Sequence, residues 1–376
     1  MELIQKIIIN NVTNRYQVKD KFDYLLESEI KLSKYIGRKY CLGVNSGGSA
    51  IFLALESIKT RLNNNKILTN SFTFSAVPSS IIHSNLKPVL IETEDNLVID
   101  LIDLEDKIKS TKSNCLVLSY MRGFIPDMNK VCDICKKYNV ILIEDAAHAY
   151  GIKFDNKFIG TFGDIVTIST QSNKLINSGE GGFILTDNND IMLDCMILSG
   201  CYENYYLKHR ELCPDVSDIN KKILSLPNYS LRMSNVQGAL ILNQIDNLED
   251  LIKKLNDNHD LISNFFKDNE LIDIIKQKPN IRPAYDSLQF RLNVDDKDSD
   301  EILNNLKKYY KIQRFNDLYN SRYYKSWKFL DDNIINEKIK TERNIKNVFD
   351  MRLDHRLNQD DLLEICNNIN NLLVKK

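Results

Sequence analysis

The sequence predicts an α/β protein: a large domain with a mostly parallel sheet between helices, then a smaller C-terminal α+β domain. Three observations predict it. From about residue 40 to 190, short β-branched apolar runs alternate with amphipathic helical periodicities. The runs are apolar throughout rather than on alternate residues, which suits strands covered on both faces of a parallel sheet. After residue 240 the pattern turns to long, charge-rich helices with one further strand signal, and a chain of 376 residues exceeds one average domain. The expected division is a large domain over 1–240, including an N-terminal segment, and a small domain over 241–376.

In order, residues 40–44 read as a strand and 49–58 as a helix. Residues 66–69 form a short strand, 75–83 a helix and 88–92 a strand. A helix over 100–108 and a strand over 115–120 follow, then an amphipathic helix carrying Cys132 and Cys135, then the apolar strand 140–145. Two more strands, 165–170 and 181–186, flank a link rich in Ser, Asn and Gly that carries Lys174. Residues 190–240 are helical and irregular. The stretch 240–266 reads as one long helix bridging the domains, followed by a strand at 287–294 and helices at 299–309 and 359–373.

The 50 basic and 51 acidic side chains give a net charge of −1, without the basic surplus of a nucleic-acid binder. The eight cysteines are scattered; the one C-x-x-C has no second pair or His pair at zinc spacing, so reduced thiols packed on a helix are expected, and no metal. Residues 3–9 are apolar but interrupted by Gln5 and Lys6, without a signal peptide's apolar core and cleavage site. No stretch approaches a membrane span, so a cytoplasmic protein is expected.

Ligands of such sheets sit beyond the carboxyl ends of the strands, and there the chain places reactive residue types. Ser46, Gly47, Gly48 and Ser49 turn a strand into a helix whose N-terminus would offer free N–H groups to a phosphate; the alternative is a plain Ser cap. Glu144 and Asp145 end an apolar strand before Ala-Ala-His148, so Asp145 is either a ligand carboxylate or a helix cap. Phe72 and Phe74 follow the strand at 66–69, where an aromatic can lie against a planar ring or simply pack in the core. A phosphate turn, a carboxylate, a flat wall and a lysine on a tight link together ask for a cationic heterocycle with a phosphate tail and a carbonyl that condenses with an amine. Pyridoxal 5′-phosphate meets all four demands: lysine as Schiff-base partner, carboxylate on the ring nitrogen, turn on the phosphate, aromatic on the ring.

The motifs resemble, in order, those of the DegT/DnrJ family of sugar aminotransferases, which depend on pyridoxal phosphate and have fold type I. Asn45-Ser-Gly-Gly-Ser-Ala50 is similar to its S-G-T-x-A turn, and Thr69-Asn-Ser-Phe-Thr-Phe-Ser-Ala76 to P-x-F-T-F-x-A. Asn139-Val-Ile-Leu-Ile-Glu-Asp-Ala-Ala-His148 resembles V-I-E-D-A-A-Q/H, and Gly160-Thr-Phe-Gly-Asp164 resembles G-x-x-G-D. Ser169 through Lys174 to Gly181-Gly182 resembles S-x-x-x-x-K followed by G-x-G-G, and Asn228-Tyr-Ser-Leu-Arg-Met-Ser-Asn235 resembles Y-N-Y-R-M-S/T-E. The resemblance runs from about 20 to 250 and fades after that. It implies Lys174 as the Schiff-base lysine, Asp145 as the partner of the ring nitrogen and His148 beside the ring. It implies Phe74 as the stacking aromatic, Gly48, Ser49 and Ser169 at the phosphate, and Ser230 among the cofactor contacts. The loop from Tyr229 to Arg232 matches a segment that reaches the neighbouring subunit's cofactor, so a homodimer with shared sites is implied. Gly48 where Thr is usual, Ser230 where Asn is usual, and Ser119-Tyr-Met-Arg-Gly123 in place of V-H-x-Y-G depart from the pattern.

The expected reaction moves an amino group from an amino acid, glutamate by resemblance, to a keto group of a nucleotide-linked keto-deoxy sugar for surface polysaccharide. Retention of Lys174, where dehydratase relatives carry His, argues for amino transfer. Arg122 is a candidate for the acceptor and Arg232 for the donor carboxylate, while Arg122 or the pair Arg314 and Arg322 would suit a small phosphorylated or carboxylated keto compound instead. A regulatory protein that binds the cofactor without turnover, and a nucleotide-sugar dehydrogenase module, are the rival classes; the latter lacks its glycine fingerprint.

Overall fold

The structure is a computed structural model and describes residues 2–17, 22–217, 219–331 and 339–374. After helices α1 (Glu2–Ile9) and α2 (Tyr24–Ile36), strands and helices alternate: β1 (Tyr40–Val44), α3 (Gly47–Ile58), β2 (Lys66–Asn70), α4 (Ala76–His83), β3 (Lys87–Ile91), α5 (Leu101–Thr111), β4 (Cys115–Ser119), α6 (Met128–Tyr138) and β5 (Ile141–Asp145). A small hairpin, β6 (Lys153–Phe154) and β7 (Lys157–Phe158), precedes β8 (Ile165–Ser169), β9 (Gly182–Thr186) and α7 (Asn189–Ser199). Seven of these strands form one sheet in the order β1-β9-β8-β5-β4-β2-β3, in which β9 alone runs against its neighbours.

Alternate residues of each strand enter opposite cores, which is why the runs read as continuously apolar. Leu116, Leu118, Leu142 and Val166 face α2, α5 and α6, whereas Cys115, Val117, Ile143 and Ile165 face α3, α4 and α7. Each such Leu or Ile, taken fully out of water, contributes roughly 1.5–3 kcal/mol. The helices are stopped by their caps. Ser46 accepts from the Ser49 N–H at the start of α3, and Asp127 from the Lys130 N–H at the start of α6; Gly37 and Asn139 end α2 and α6 in the left-handed conformation.

The expected single helix over 240–266 is two helices. After α8 (Ile219–Ser225), α9 (Asn235–Asp246) stops at Asn247, whose backbone (φ −100°, ψ 7°) leaves helical geometry before α10 (Leu248–Phe265) begins. Packing forces the break. Gly238 of α9 meets α2 so closely that a Cβ would lie 2.4 Å from the Leu25 Cα, while α10 must carry Leu255 and Ile262 into the core of the next sheet. That sheet, in the order β10-β12-β14-β13, comprises β10 (Ile272–Ile274), β12 (Ser287–Leu292), β13 (Ile312–Arg314) and β14 (Val348–Arg352), while β11 (Ile281–Arg282) joins the small hairpin. Helices α11 (Asp296–Leu306), α12 (Ile339–Ile345) and α13 (Gln359–Leu373) complete the smaller α+β domain. A further apolar cluster joins it to the strand ends of the large sheet: Phe72, Met121 and Phe124 pack with Phe315, Tyr323 and Trp327. All eight cysteines are unpaired.

Candidate active site

The carboxyl ends of β4, β5 and β8 lie side by side, and each ends in a polar residue: Ser119, Asp145 and Ser169. Strand alternation separates the two acids of β5. Glu144 turns into the protein and accepts from the N–H groups of Gly160 (2.9 Å), Phe162 (2.8 Å) and Gly163 (2.6 Å) and from the Tyr120 hydroxyl (2.7 Å), so it shapes the loop before β8. Asp145 faces the site. Its Oδ2 accepts from Ser119 Oγ at 2.8 Å and its Oδ1 from the Ala147 N–H at 3.2 Å; Ser119 Oγ in turn accepts from Thr73 Oγ1 at 2.7 Å. Burial raises the proton affinity of Asp145, against the opposing pull of Ser119 and the charge of Lys174.

The link between β8 and β9 is a tight loop closed by its own backbone. Thr170 N–H donates to Gly181 O and Ser172 N–H to Gly179 O, both at 2.9 Å. Gly181 takes φ +152°, and a Cβ there would stand 2.4 Å from Thr170 Oγ1, so glycine is required. The loop presents Lys174, whose Nζ donates to His148 Nε2 at 2.9 Å. Burial drops the lysine to a pKa of about 7; the carboxylates of Asp286 and Asp145 oppose the fall, and the guanidiniums of Arg122 and Arg352 add to it. His148 is held well below its usual value, chiefly by burial and by the neighbouring lysine charge, so a neutral imidazole accepts from the amine. Its Nδ1 faces Asp286 Oδ2 at 3.8 Å.

Gly47 of α3 approaches β8 so closely that a Cβ would lie 2.7 Å from Ser169 Cβ. A Cβ on Gly48 would meet its nearest neighbour, Ser80 Oγ, at an ordinary 3.6 Å, so the absence of a side chain there is not a steric demand. The Ser46 side chain takes the Ser49 N–H at 3.0 Å; among the described residues no acceptor meets the N–H groups of Gly47 and Gly48, which open beside Ser169. Phe74 is 39% exposed, and the Arg322 guanidinium lies 5.8 Å from the centre of its ring.

Two expectations change. Arg122, predicted to read the substrate, is buried with its side chain 1% exposed and ion-paired to Asp350, with Asp286 at 3.9 Å. Its left-handed backbone (φ 56°) in the turn after β4 directs it inward to the small domain. Arg314 lies on β13 and pairs with Asp300 at 2.7 Å. Arg232 donates to Gly200 O (2.9 Å) and Ser230 Oγ (3.2 Å), in a loop that crosses the end of β1, where the Asn45 N–H donates to Leu231 O (2.9 Å).

The sequence reading missed Asp286 and Arg352. Arg352 Nη1 lies 2.5 Å from Asp286 Oδ2 and its Nη2 donates to Asn173 O at 2.7 Å, so β14 grips the residue before the lysine. Arg352, Arg122 and His148 together hold Asp286 well below the carboxylate range although burial alone would raise it. A cleft of about 1280 Å³ opens beside Lys174 and Asp286, walled by Asn173, Tyr310, Arg352 and His355.

The geometry brings together a weakly basic buried amine and a buried carboxylate at a strand end, with an anion-ready turn beside Ser169. The model of the DegT/DnrJ/EryC1/StrS aminotransferase family matches residues 5–370. The chain belongs to this family. GDP-perosamine synthase of Escherichia coli O157:H7 is 25% identical over 284 residues, covering 75% of this chain and 73% of that protein. Spore coat polysaccharide biosynthesis protein SpsC of Bacillus subtilis is 28% identical over 232 residues, 60% of this chain and 57% of its own. The solved structure of Helicobacter pylori PseC, an aminotransferase involved in the biosynthesis of pseudoaminic acid, superposes with a TM-score of 0.83 at 19% identity over 100% of this chain and 96% of that one. This aminotransferase uses pyridoxal 5′-phosphate, and the residues present fit it: burial disfavours the charge of the Asp145 carboxylate, which a protonated ring nitrogen would offset, and burial lowers the Lys174 amine to a pKa of about 7, so that it is largely available uncharged near neutral pH.

Proposed function

We propose that the protein transfers an amino group from an amino acid, glutamate in the first instance, to the keto group of a nucleotide-linked keto-deoxy sugar destined for surface polysaccharide. The observation that carries the reading is the Lys174 amine, held by the β8–β9 link 2.9 Å from His148 Nε2 in a buried position that lowers its pKa to about 7. The names of the perosamine and spore-coat relatives support the sugar acceptor. When bound, pyridoxal phosphate supplies an aldehyde that condenses with amines and a ring that accepts electrons from the substrate carbon.

This chain's residues supply the rest. Lys174 would hold the cofactor through its amine, and that amine, with its pKa lowered to about 7, would be suited to moving a proton to and from the reacting carbon. His148 holds that amine in line, and Asp145 keeps the ring nitrogen protonated. The open N–H groups of Gly47 and Gly48 and the hydroxyls of Ser49 and Ser169 would hold the phosphate, the Ser49 N–H being taken by Ser46, and Phe74 would hold the ring face. We assign Ser230 and Arg232 to the site of a second copy in a homodimer. The support is exposed apolar surface on the same segment: Leu207 is 63% exposed, Leu224 90% and Tyr229 37%. A cytoplasmic setting is part of the proposal; among the described residues no helix is long and apolar enough to cross a membrane.

The test is to incubate purified protein with glutamate and a panel of nucleoside-diphosphate 4-keto-6-deoxy sugars, following 2-oxoglutarate and amino sugar by mass spectrometry. Formation of both, lost in Lys174→Ala, is expected. Amination of small phosphorylated keto compounds alone would replace the acceptor class. Cofactor binding without any 2-oxoglutarate would leave a non-catalytic regulator.

A further inference from the structure

Three guanidiniums stand around two carboxylates where the small domain meets the strand ends. Arg352 is paired with Asp286 and Arg122 with Asp350. The side-chain amides of Gln289 (2.8 Å) and Gln313 (2.9 Å) also donate to Asp350, so both oxygens of that carboxylate are hydrogen-bonded. Arg322 has no carboxylate within ion-pairing distance among the described residues. Among the described residues its guanidinium makes one hydrogen bond, a long 3.5 Å contact to Asn320 Oδ1, and its buried Nε meets no partner. The guanidinium lies 5.8 Å from the centre of the Phe74 ring.

The position is built rather than accidental. Ser75 N–H donates to Ser321 O (3.1 Å), Trp327 Nε1 donates to the same carbonyl (2.9 Å), and Arg322 N–H donates to Asn320 Oδ1 (3.0 Å). The segment carrying Arg322 is therefore fixed against the segment carrying Phe74, and Thr73 and Ser119 connect the latter to Asp145. Burial, with the charges of Arg122 and Arg352, lowers Arg322 to a pKa of about 10, against the opposing pull of the more distant Asp350 and Asp286. A half-buried guanidinium in this state is costly on its own, and it gains most from a planar anion that accepts from its fork of N–H donors.

We propose that Arg322, backed by the face of Phe74, forms a subsite for a carboxylate or phosphate group of a substrate. The proposal rests on the aminotransferase reading for which substrate brings that anion, but the anion-binding surface itself does not. Trp327 is the one tryptophan of the chain and is tied to Ser321, so its fluorescence reports on this segment. The experiment titrates the cofactor-loaded protein with succinate and with inorganic phosphate, reading Trp327 fluorescence and thermal unfolding, for wild type, Arg322→Met and Arg322→Lys. Wild type should respond saturably. Arg322→Met should weaken the response about 10–100-fold and Arg322→Lys by less, because a point charge remains after the fork is lost.

In parallel, the conversion of the cofactor by glutamate and by the keto acceptor is followed separately in single turnovers. A rise in the glutamate concentration needed, with the acceptor unaffected, assigns the anion to the donor carboxylate; the reverse assigns it to the acceptor. If wild type binds neither probe, or Arg322→Met binds both as wild type does and both half-reactions keep their concentration dependence, the subsite is refuted. A protein that binds the probes through Arg322 yet never converts glutamate would keep the subsite and sink the enzymatic reading.

Discussion

Replacing Asp286 by Asn tests the electrostatic account of the lysine most directly. The amide keeps the shape of the carboxylate and an oxygen for Arg352 but removes a negative charge that holds a proton on Lys174. The legs from Lys174 Nζ to His148 Nε2 (2.9 Å) and from His148 Nδ1 to Asp286 (3.8 Å), with the ring between, put the charges within roughly 9 Å, where an effective dielectric of about 20 gives an interaction of about 2 kcal/mol. That corresponds to a little over one pK unit. The titration of Lys174 should therefore move from about 7 in wild type to roughly one unit lower in Asp286→Asn. The assay is the rate at which pyridoxal phosphate reattaches to the cofactor-free protein, followed by visible absorbance as a function of pH, because only the uncharged amine attacks the aldehyde. The rising limb should shift to lower pH with an unchanged plateau. A limb that stays in place or moves to higher pH would refute the charge balance drawn around Lys174.

Other outcomes follow from the same geometry. Lys174→Met should abolish transfer and, in the cofactor-free protein, raise stability at neutral pH by up to a few kcal/mol. The folded lysine (about 7) binds fewer protons than the unfolded one (10.5), so wild-type stability rises with pH across that window and the advantage of the variant should shrink toward pH 10.5 in urea unfolding series. Asp145→Asn should lower kcat by on the order of 10²–10⁴-fold with little change in folding midpoint, measured by steady-state kinetics and thermal unfolding. Glu144→Gln should leave two or more buried donors poorly met and cost about 2–3 kcal/mol in chemical denaturation, because three backbone N–H groups and Tyr120 converge on that carboxylate. Gly238→Ala should cost about 1–3 kcal/mol by overpacking α9 against Leu25.

The strands of the large sheet and the residues displayed at their carboxyl ends were legible in the amino-acid sequence, while their order across the sheet and the antiparallel β9 came from the fold. The legible features are local. A continuous apolar run makes a doubly covered strand, the next two residues emerge at its carboxyl end, and Lys174, Asp145, Phe74 and the Gly47–Gly48 turn each lie within a few residues of such a run. Composition gave the charge balance but not its pairing. Which arginine is spent and which is open was decided only by tertiary structure. Asp286, just before β12, and Asp350 and Arg352, on β14, lie over a hundred residues after Lys174, in segments whose local pattern matches any charged strand edge. Arg122 looked available because its neighbours in sequence are uncharged, yet the fold brings Asp350 to it. The break at Asn247 was hidden for the same reason: α9 and α10 share one helical periodicity, and only their separate packing partners, Leu25 for one and the small-domain core for the other, force the chain to turn. Periodicity reports which side of an element is apolar; it carries no information about which distant element that side will meet.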